Sequence, residues 1–202
     1  MVDNPVRRAN RDRDGEMTTP LTHPEAEDQL RQVRQLADQI HGRLVEAGRT
    51  VAVAESLTGG LVSAFLTAAP GTSVTFCGGL VPYGSDAKQD IAGVNRASLD
   101  EYGSVHETIA EQLAAGARHR LRSDYGIGLT GVAGPGTQDG QPVGEVYVAI
   151  ADADSVHAQR YQLEGNRDAV RLGSVVAALA QLLDTLDAQR QIRYDSHTGG
   201  DK

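Results

Sequence analysis

The chain has no tryptophan, two phenylalanines, two methionines and one cysteine in 202 residues. A single cysteine, Cys77, excludes an intramolecular disulfide and any multi-cysteine zinc site, and it fits a reducing compartment. Cys77 falls in an apolar run and is expected to be a small buried strand residue rather than a nucleophile. The histidines are scattered, with no H-E-x-x-H pair or other ligand spacing, so no metal is expected. His23, His41, His119, His157 and His197 are each expected at the surface. The turn after TVAVAE is not a Walker loop, the glycine-rich segment from Thr130 to Gly136 is not a G-x-G-x-x-G fingerprint, and no cofactor is expected. Positive charge is also short. Nineteen Lys and Arg face 27 Asp and Glu, a net charge of −8. Such a chain has no general attraction for phosphate backbones, so nucleic acid is not the expected main partner, although a local basic patch stays open. The opening residues lack the apolar stretch of a signal peptide, and no window is read as approaching a membrane span. A cytoplasmic protein without membrane contact is expected.

Residues 1–23 are charged and poor in large apolar side chains. They cannot bury enough surface to offset ordering entropy and read as a disordered tail. Residues 188–202 read the same way, leaving one domain over 24–187. Within it, Leu30, Val33, Leu36, Ile40 and Leu44 recur at helical spacing from Pro24 to Ala47, and Gly48 stops the helix. TVAVAE then reads as a buried strand, followed by a short helix from Leu61. A second strand lies within 73–83. Three helices follow, beginning near Ser85, Arg96 and His106. Asp124–Thr130 reads as a third strand. EVYVAIADA and VHAQRYQLE read as a hairpin around Asp154-Ser155. A last helix starts near Asn166. Strands and helices alternating with glycine-rich turns predict an α/β fold, a three-layer α/β/α single domain with a mixed sheet.

Three segments carry chemistry. In Ala54-Glu55-Ser56-Leu57-Thr58-Gly59-Gly60, a strand runs through small residues into a helix. Free amides at a helix start attract negative charge, either a phosphate or an oxyanion. Ser56 at that junction is a candidate nucleophile; the same turn is also compatible with a plain N-cap. In Tyr83-Gly84-Ser85-Asp86-Ala87-Lys88, a lysine buried near a serine can lose its proton and serve as a base. Taken in isolation, the segment favours the other reading, a solvated lysine on a helix surface. The third segment, Thr130-Gly131-Val132-Ala133-Gly134-Pro135-Gly136 with Gln141-Pro142-Val143-Gly144, is a glycine-rich loop beyond a strand end. Open α/β sheets bind ligands in that place, and glycines let a ligand approach the backbone.

Taken in order, AESLTGG, PYGSDAK, TGVAGPG…PVG and GNRDAVR resemble the CinA C-terminal domain family over about Glu27 to Leu186. Stand-alone members of that family are nicotinamide-nucleotide amidohydrolases. The resemblance implies deamidation of nicotinamide mononucleotide to nicotinic acid mononucleotide and ammonia. By the same resemblance, Ser56 is the nucleophile, with Tyr83 and Lys88 as its catalytic partners. It places Glu55, Thr58, Gly59, Gly60, Thr130, Gly131, Ala133 and Gly134 at the substrate, and Arg167 and Arg171 toward its phosphate. It also implies a homo-oligomer. The motifs depart from the family in places. Gly84-Ser85 stands for the usual Ser-Asn, Gln141 for a lysine, and His106 for a serine at a helix start, where it is expected to be a cap or surface residue. In the implied reaction Lys88 takes the Ser56 proton directly or through Tyr83, and amides at the start of the second helix stabilise the oxyanion. The alternatives are an amidase for another small carboxamide, or a catalytically silent nucleotide-binding protein linked to competence or DNA damage.

Overall fold

Helix α1 (Pro24–Ala47) lays Val33, Ala37, Ile40 and Leu44 along one buried stripe and ends at Gly48, whose φ of 60° favours glycine. The structure is a computed structural model and describes residues 24–198; the expected N-terminal tail, 1–23, lies outside the described residues. After α1 come β1 (Val51–Glu55), α2 (Leu61–Leu66), a 3-10 turn at Thr72–Val74, β2 (Phe76–Leu80), α3 (Ser85–Ala92), α4 (Arg96–Tyr102) and α5 (Glu107–Leu121). The chain continues through β3 (Tyr125–Gly131), β4 (Glu145–Ala151), β5 (Val156–Gln162) and α6 (Arg167–Thr198).

The five strands form one mixed sheet in the order β2-β1-β3-β4-β5. β1 is parallel to β2 and β3, whereas β3, β4 and β5 are antiparallel in turn. Period-two alternation assigns the two faces. Val51, Val53, Ile127, Leu129, Val146 and Val148 pack under α1, α2 and α6. Ala52, Ala54, Ala149 and Ala151 face α5 instead. Small residues on that face let α5 lie close to the sheet. A Cβ on Gly126 or Gly128 would sit 2.0 or 2.2 Å from the carbonyl oxygens of Ala114 and Ala110. The expected three-layer α/β/α arrangement with a mixed sheet is what the chain adopts.

Three local expectations change. Cys77 is exposed, because β2 is the sheet edge. The boundary at 187 is not a helix end, since α6 continues through Thr198. Gln189 ties that extension to the sheet, accepting from the Tyr125 hydroxyl and donating to Asp152 at 2.7 Å. Third, residues 167–192 of α6 are long and apolar enough to cross a membrane, by length and composition. Half of its most apolar 18 residues are buried within the domain, with Val170, Val175, Ala178, Leu179 and Leu182 sealed against β3, β4 and α1. Its apolar character is that of a core helix. Burying each of its leucines contributes about 2 kcal/mol.

Candidate active site

Ser56 is the first residue past β1, and its amide still donates to Leu129 O at 3.2 Å, which keeps it at the carboxyl end of the sheet. The chain then turns back, with Gly59 N donating to Ser56 O at 3.0 Å. Gly59 and Gly60 have φ of 61° and 102°, which explains why glycine stands at both positions. The turn leaves Ser56 only 7% exposed.

Lys88 reaches Ser56 from α3. Its Nζ donates to Ser56 Oγ at 3.1 Å, to Pro82 O at 3.2 Å and to Tyr83 O at 3.3 Å. The side chain is 1% exposed. Burial lowers its pKa to about 8, against the opposing pull of the Asp139 carboxylate, which favours the ammonium. Of the two readings of Lys88, the buried one holds. A lysine poised near neutrality, in direct contact with a serine hydroxyl, is a base–nucleophile arrangement.

Tyr83 is brought near without joining that pair through its hydroxyl. Only its carbonyl bonds to Lys88, while its Oη accepts from Arg167 Nη2 at 2.9 Å and the residue is 58% exposed. Among the described residues no hydrogen bond joins the Tyr83 phenol to Ser56 or Lys88, whereas Lys88 contacts Ser56 directly. Arg167 also donates to Gly134 O at 2.6 Å, joining the start of α6, the segment before α3 and the glycine-rich loop. Ser56, Tyr83, Thr130, Gly131, Ala133, Gly134 and Arg167 border one cleft of about 290 Å³. That is near the small end of ligand sites.

The remaining expected contacts are elsewhere. Glu55 is completely buried and turned into α2, where its carboxylate accepts from Thr58 Oγ1 (2.7 Å), Val62 N (3.1 Å), Ser63 N (3.0 Å) and Ser63 Oγ (2.7 Å). Alternation along β1 puts Glu55 on the helix side, so it caps α2 and does not border the cleft. The α2 amides expected to hold an oxyanion are those it occupies. Thr58, Gly59 and Gly60 shape the turn and do not border the cleft. Arg171 donates to Leu57 O at 3.2 Å and Thr58 O at 2.8 Å, so its guanidinium braces the turn rather than facing the cleft. His106 is the N-cap of α5, accepting from Thr108 N at 3.2 Å, in keeping with its plain reading.

Two residues escaped sequence reasoning. Ser104 and Asp139 are joined by a 2.7 Å bond from Ser104 N to Asp139 Oδ2, between the turn after α4 and the glycine-rich loop. No local pattern signals a contact between a serine and an aspartate 35 residues apart. A larger open groove of about 1100 Å³, bordered by Arg118, Arg120 and Arg122, lies between the end of α3 and the C-terminal half of α5, and it holds no nucleophile–base pair.

The model of the family described as the CinA C-terminal domain matches residues 33–186. A CinA-like protein of Synechococcus sp. (strain CC9902) is 45% identical over 149 residues, which is 72% of this chain and 36% of that protein. A CinA-like protein of Geobacter sulfurreducens is 44% identical over 135 residues, 66% of this chain and 33% of that protein. The chain therefore spans about a third of the length of these curated relatives. Among solved structures, a CinA superfamily protein from Escherichia coli is 34% identical with a TM-score of 0.73, covering 75% of this chain and 88% of that one. A competence/damage inducible protein from Agrobacterium tumefaciens is 35% identical with a TM-score of 0.73, covering 77% and 96%.

Proposed function

This chain belongs to the CinA C-terminal domain family, and from that premise we propose that it hydrolyses the carboxamide of nicotinamide mononucleotide, with Ser56 as nucleophile and Lys88 as base. The observation that carries the reading is the 3.1 Å contact between Lys88 Nζ and Ser56 Oγ inside a buried site. The neutral amine of Lys88 takes the hydroxyl proton as Ser56 Oγ attacks the carboxamide carbon. The ammonium then returns that proton to the departing nitrogen, and the C–N bond breaks to release ammonia. Water, deprotonated by Lys88, cleaves the acyl–Ser56 ester and frees the carboxylate.

An oxyanion forms in both halves of the reaction. Leu57, Ala133 and Gly134 border the cleft, and their amides enter no hydrogen bond among the described residues. Such amides are candidate donors to it, and one such donor is worth roughly 3 kcal/mol in the transition state. Arg167 at the cleft is the cation suited to the nucleotide phosphate.

The test is ammonia release from nicotinamide mononucleotide by the purified protein and by a Ser56→Ala variant. Release by the first and not the second supports both reaction and nucleophile. A folded protein that binds the nucleotide without releasing ammonia would sink the reading in favour of a silent binding protein. Ser56-dependent release from a different carboxamide alone would retain the chemistry and replace the substrate.

A further inference from the structure

Ser104 is 5% exposed and connects α3, the end of β3 and the glycine-rich loop. Its amide donates to Asp139 Oδ2 at 2.7 Å, its hydroxyl is 2.8 Å from the Ser85 hydroxyl, and its carbonyl accepts from Thr130 Oγ1 at 2.7 Å. Ser85 opens α3 one turn before Lys88, so its link to Ser104 steadies the helix that carries the base. Thr130 borders the cleft at the end of β3. Asp139 stands in the glycine-rich loop, with a φ of 51°. That left-handed conformation is uncommon outside glycine, and aspartate is among the residues that tolerate it. Its side chain packs on Gly103, where a Cβ would lie only 2.9 Å from the Asp139 Cβ. The seat for this carboxylate is therefore built from both sides.

The charges around Lys88 are disposed unequally. Glu55 is turned into α2 and bound by four donors. Asp86, on the same helix as Lys88, is paired with Arg96 outside. Arg167 is engaged by Tyr83 and Gly134. Asp139 is the charge that acts on the ammonium, and it favours the protonated form.

We propose that Asp139 is a positioning residue for the reaction proposed above, on which this inference rests: it seats the glycine-rich loop on Ser104 and so holds the cleft wall in register with the Ser56–Lys88 pair. The role has two separable parts, a hydrogen-bond acceptor for Ser104 N and a negative charge felt by Lys88. Asp139→Asn retains an acceptor and removes the charge, whereas Asp139→Ala removes both.

The experiment follows the rate at which phenylmethylsulfonyl fluoride modifies Ser56, read by intact mass from about pH 6 to 10, with Ser56→Ala as control. In that step the Ser56 Oγ–S bond forms, fluoride leaves, and the serine proton goes to Lys88. The readout therefore needs no knowledge of the natural substrate. Losing the carboxylate charge lowers the proton affinity of Lys88, so the acid limb of the profile moves to lower pH in both variants. The high-pH plateau of Asp139→Asn stays near that of the parent, while that of Asp139→Ala falls about tenfold as the wall loses its seat. An acid limb unmoved in Asp139→Asn overturns the charge part of the role, and a tenfold fall of the plateau in folded Asp139→Asn, which keeps the acceptor, overturns the seating even if Asp139→Ala fails to fold. A plateau in folded Asp139→Ala equal to the parent's overturns it as well. A parent protein modified at Ser56 but inert toward nicotinamide mononucleotide removes only the substrate assignment. One not modified at any pH removes the Ser56–Lys88 pair and this inference with it.

Discussion

Lys88 Nζ donates to Ser56 Oγ across 3.1 Å, from a helix to a strand-end turn 32 residues earlier in the chain. Both groups are buried, and the amine has three oxygen acceptors within 3.3 Å. Those acceptors favour the ammonium and desolvation favours the amine. Desolvation wins, leaving the pKa at about 8. About a tenth of the molecules then hold a neutral base at pH 7.

Activity should therefore rise with pH and level off above about 8, as the Lys88 ammonium gives up its proton. Lys88→Met should lower kcat by roughly a thousandfold, within the range for loss of a general base, and abolish that limb. The pH dependence of kcat/KM for the two proteins checks this. A limb that survives in Lys88→Met belongs to another group.

The same residue should leave a mark on stability. Its pKa is about 8 folded against an ordinary value of 10.5. Between those values the unfolded chain holds a proton that the folded chain has lost, so stability grows as pH rises through that interval. Below about pH 8 the buried ammonium costs stability, by on the order of 3 kcal/mol at most. Urea midpoints at pH 7 and pH 10 should thus differ more favourably toward high pH in the parent than in Lys88→Met. Parallel behaviour of the two proteins would mean that Lys88 is not desolvated.

Glu55→Ala should act on folding rather than on substrate affinity. It removes the acceptor of four donors at the start of α2. The expected loss is about 3 kcal/mol, a fall in Tm of roughly 6–12 °C. Thermal unfolding measures that loss. A variant with unchanged Tm and a raised KM would restore Glu55 to the substrate.

The two arginines of α6 should separate. Arg167→Ala should lower kcat/KM for nicotinamide mononucleotide by roughly 10- to 100-fold, the worth of a charged hydrogen bond, and leave the phosphate-free riboside little changed. Arg171→Ala should instead lower Tm, because its guanidinium holds the Leu57 and Thr58 carbonyls. Kinetics with both substrates and melting curves of both variants test the division.

The order of elements, the α/β class and the span of α1 were legible in the sequence, because the 3.6 and 2.0 periodicities and the glycine stops are local properties of the chain. Ser56, Lys88 and the glycine-rich loop were legible as motifs. The end of α6 was not, since Gln189 is held by Tyr125 and Asp152, distant residues that composition does not reveal. The apolar window of α6 was missed for a different reason: its hydrophobicity is shared along a helix whose burial depends on three partner elements.

By itself, then, the sequence determined which residues are chemically able to act and which strands and helices carry them. Only the tertiary structure decided their parts. It turned the Glu55 carboxylate into α2 while Ser56, one residue on, stayed at the cleft. It sent Arg167 to the cleft and Arg171, one helical turn later, to the back of the Ser56 turn. It brought Asp139 onto Ser104. Direction and burial of a side chain follow from where whole elements pack, and that packing is a sum over distant contacts that no local pattern contains.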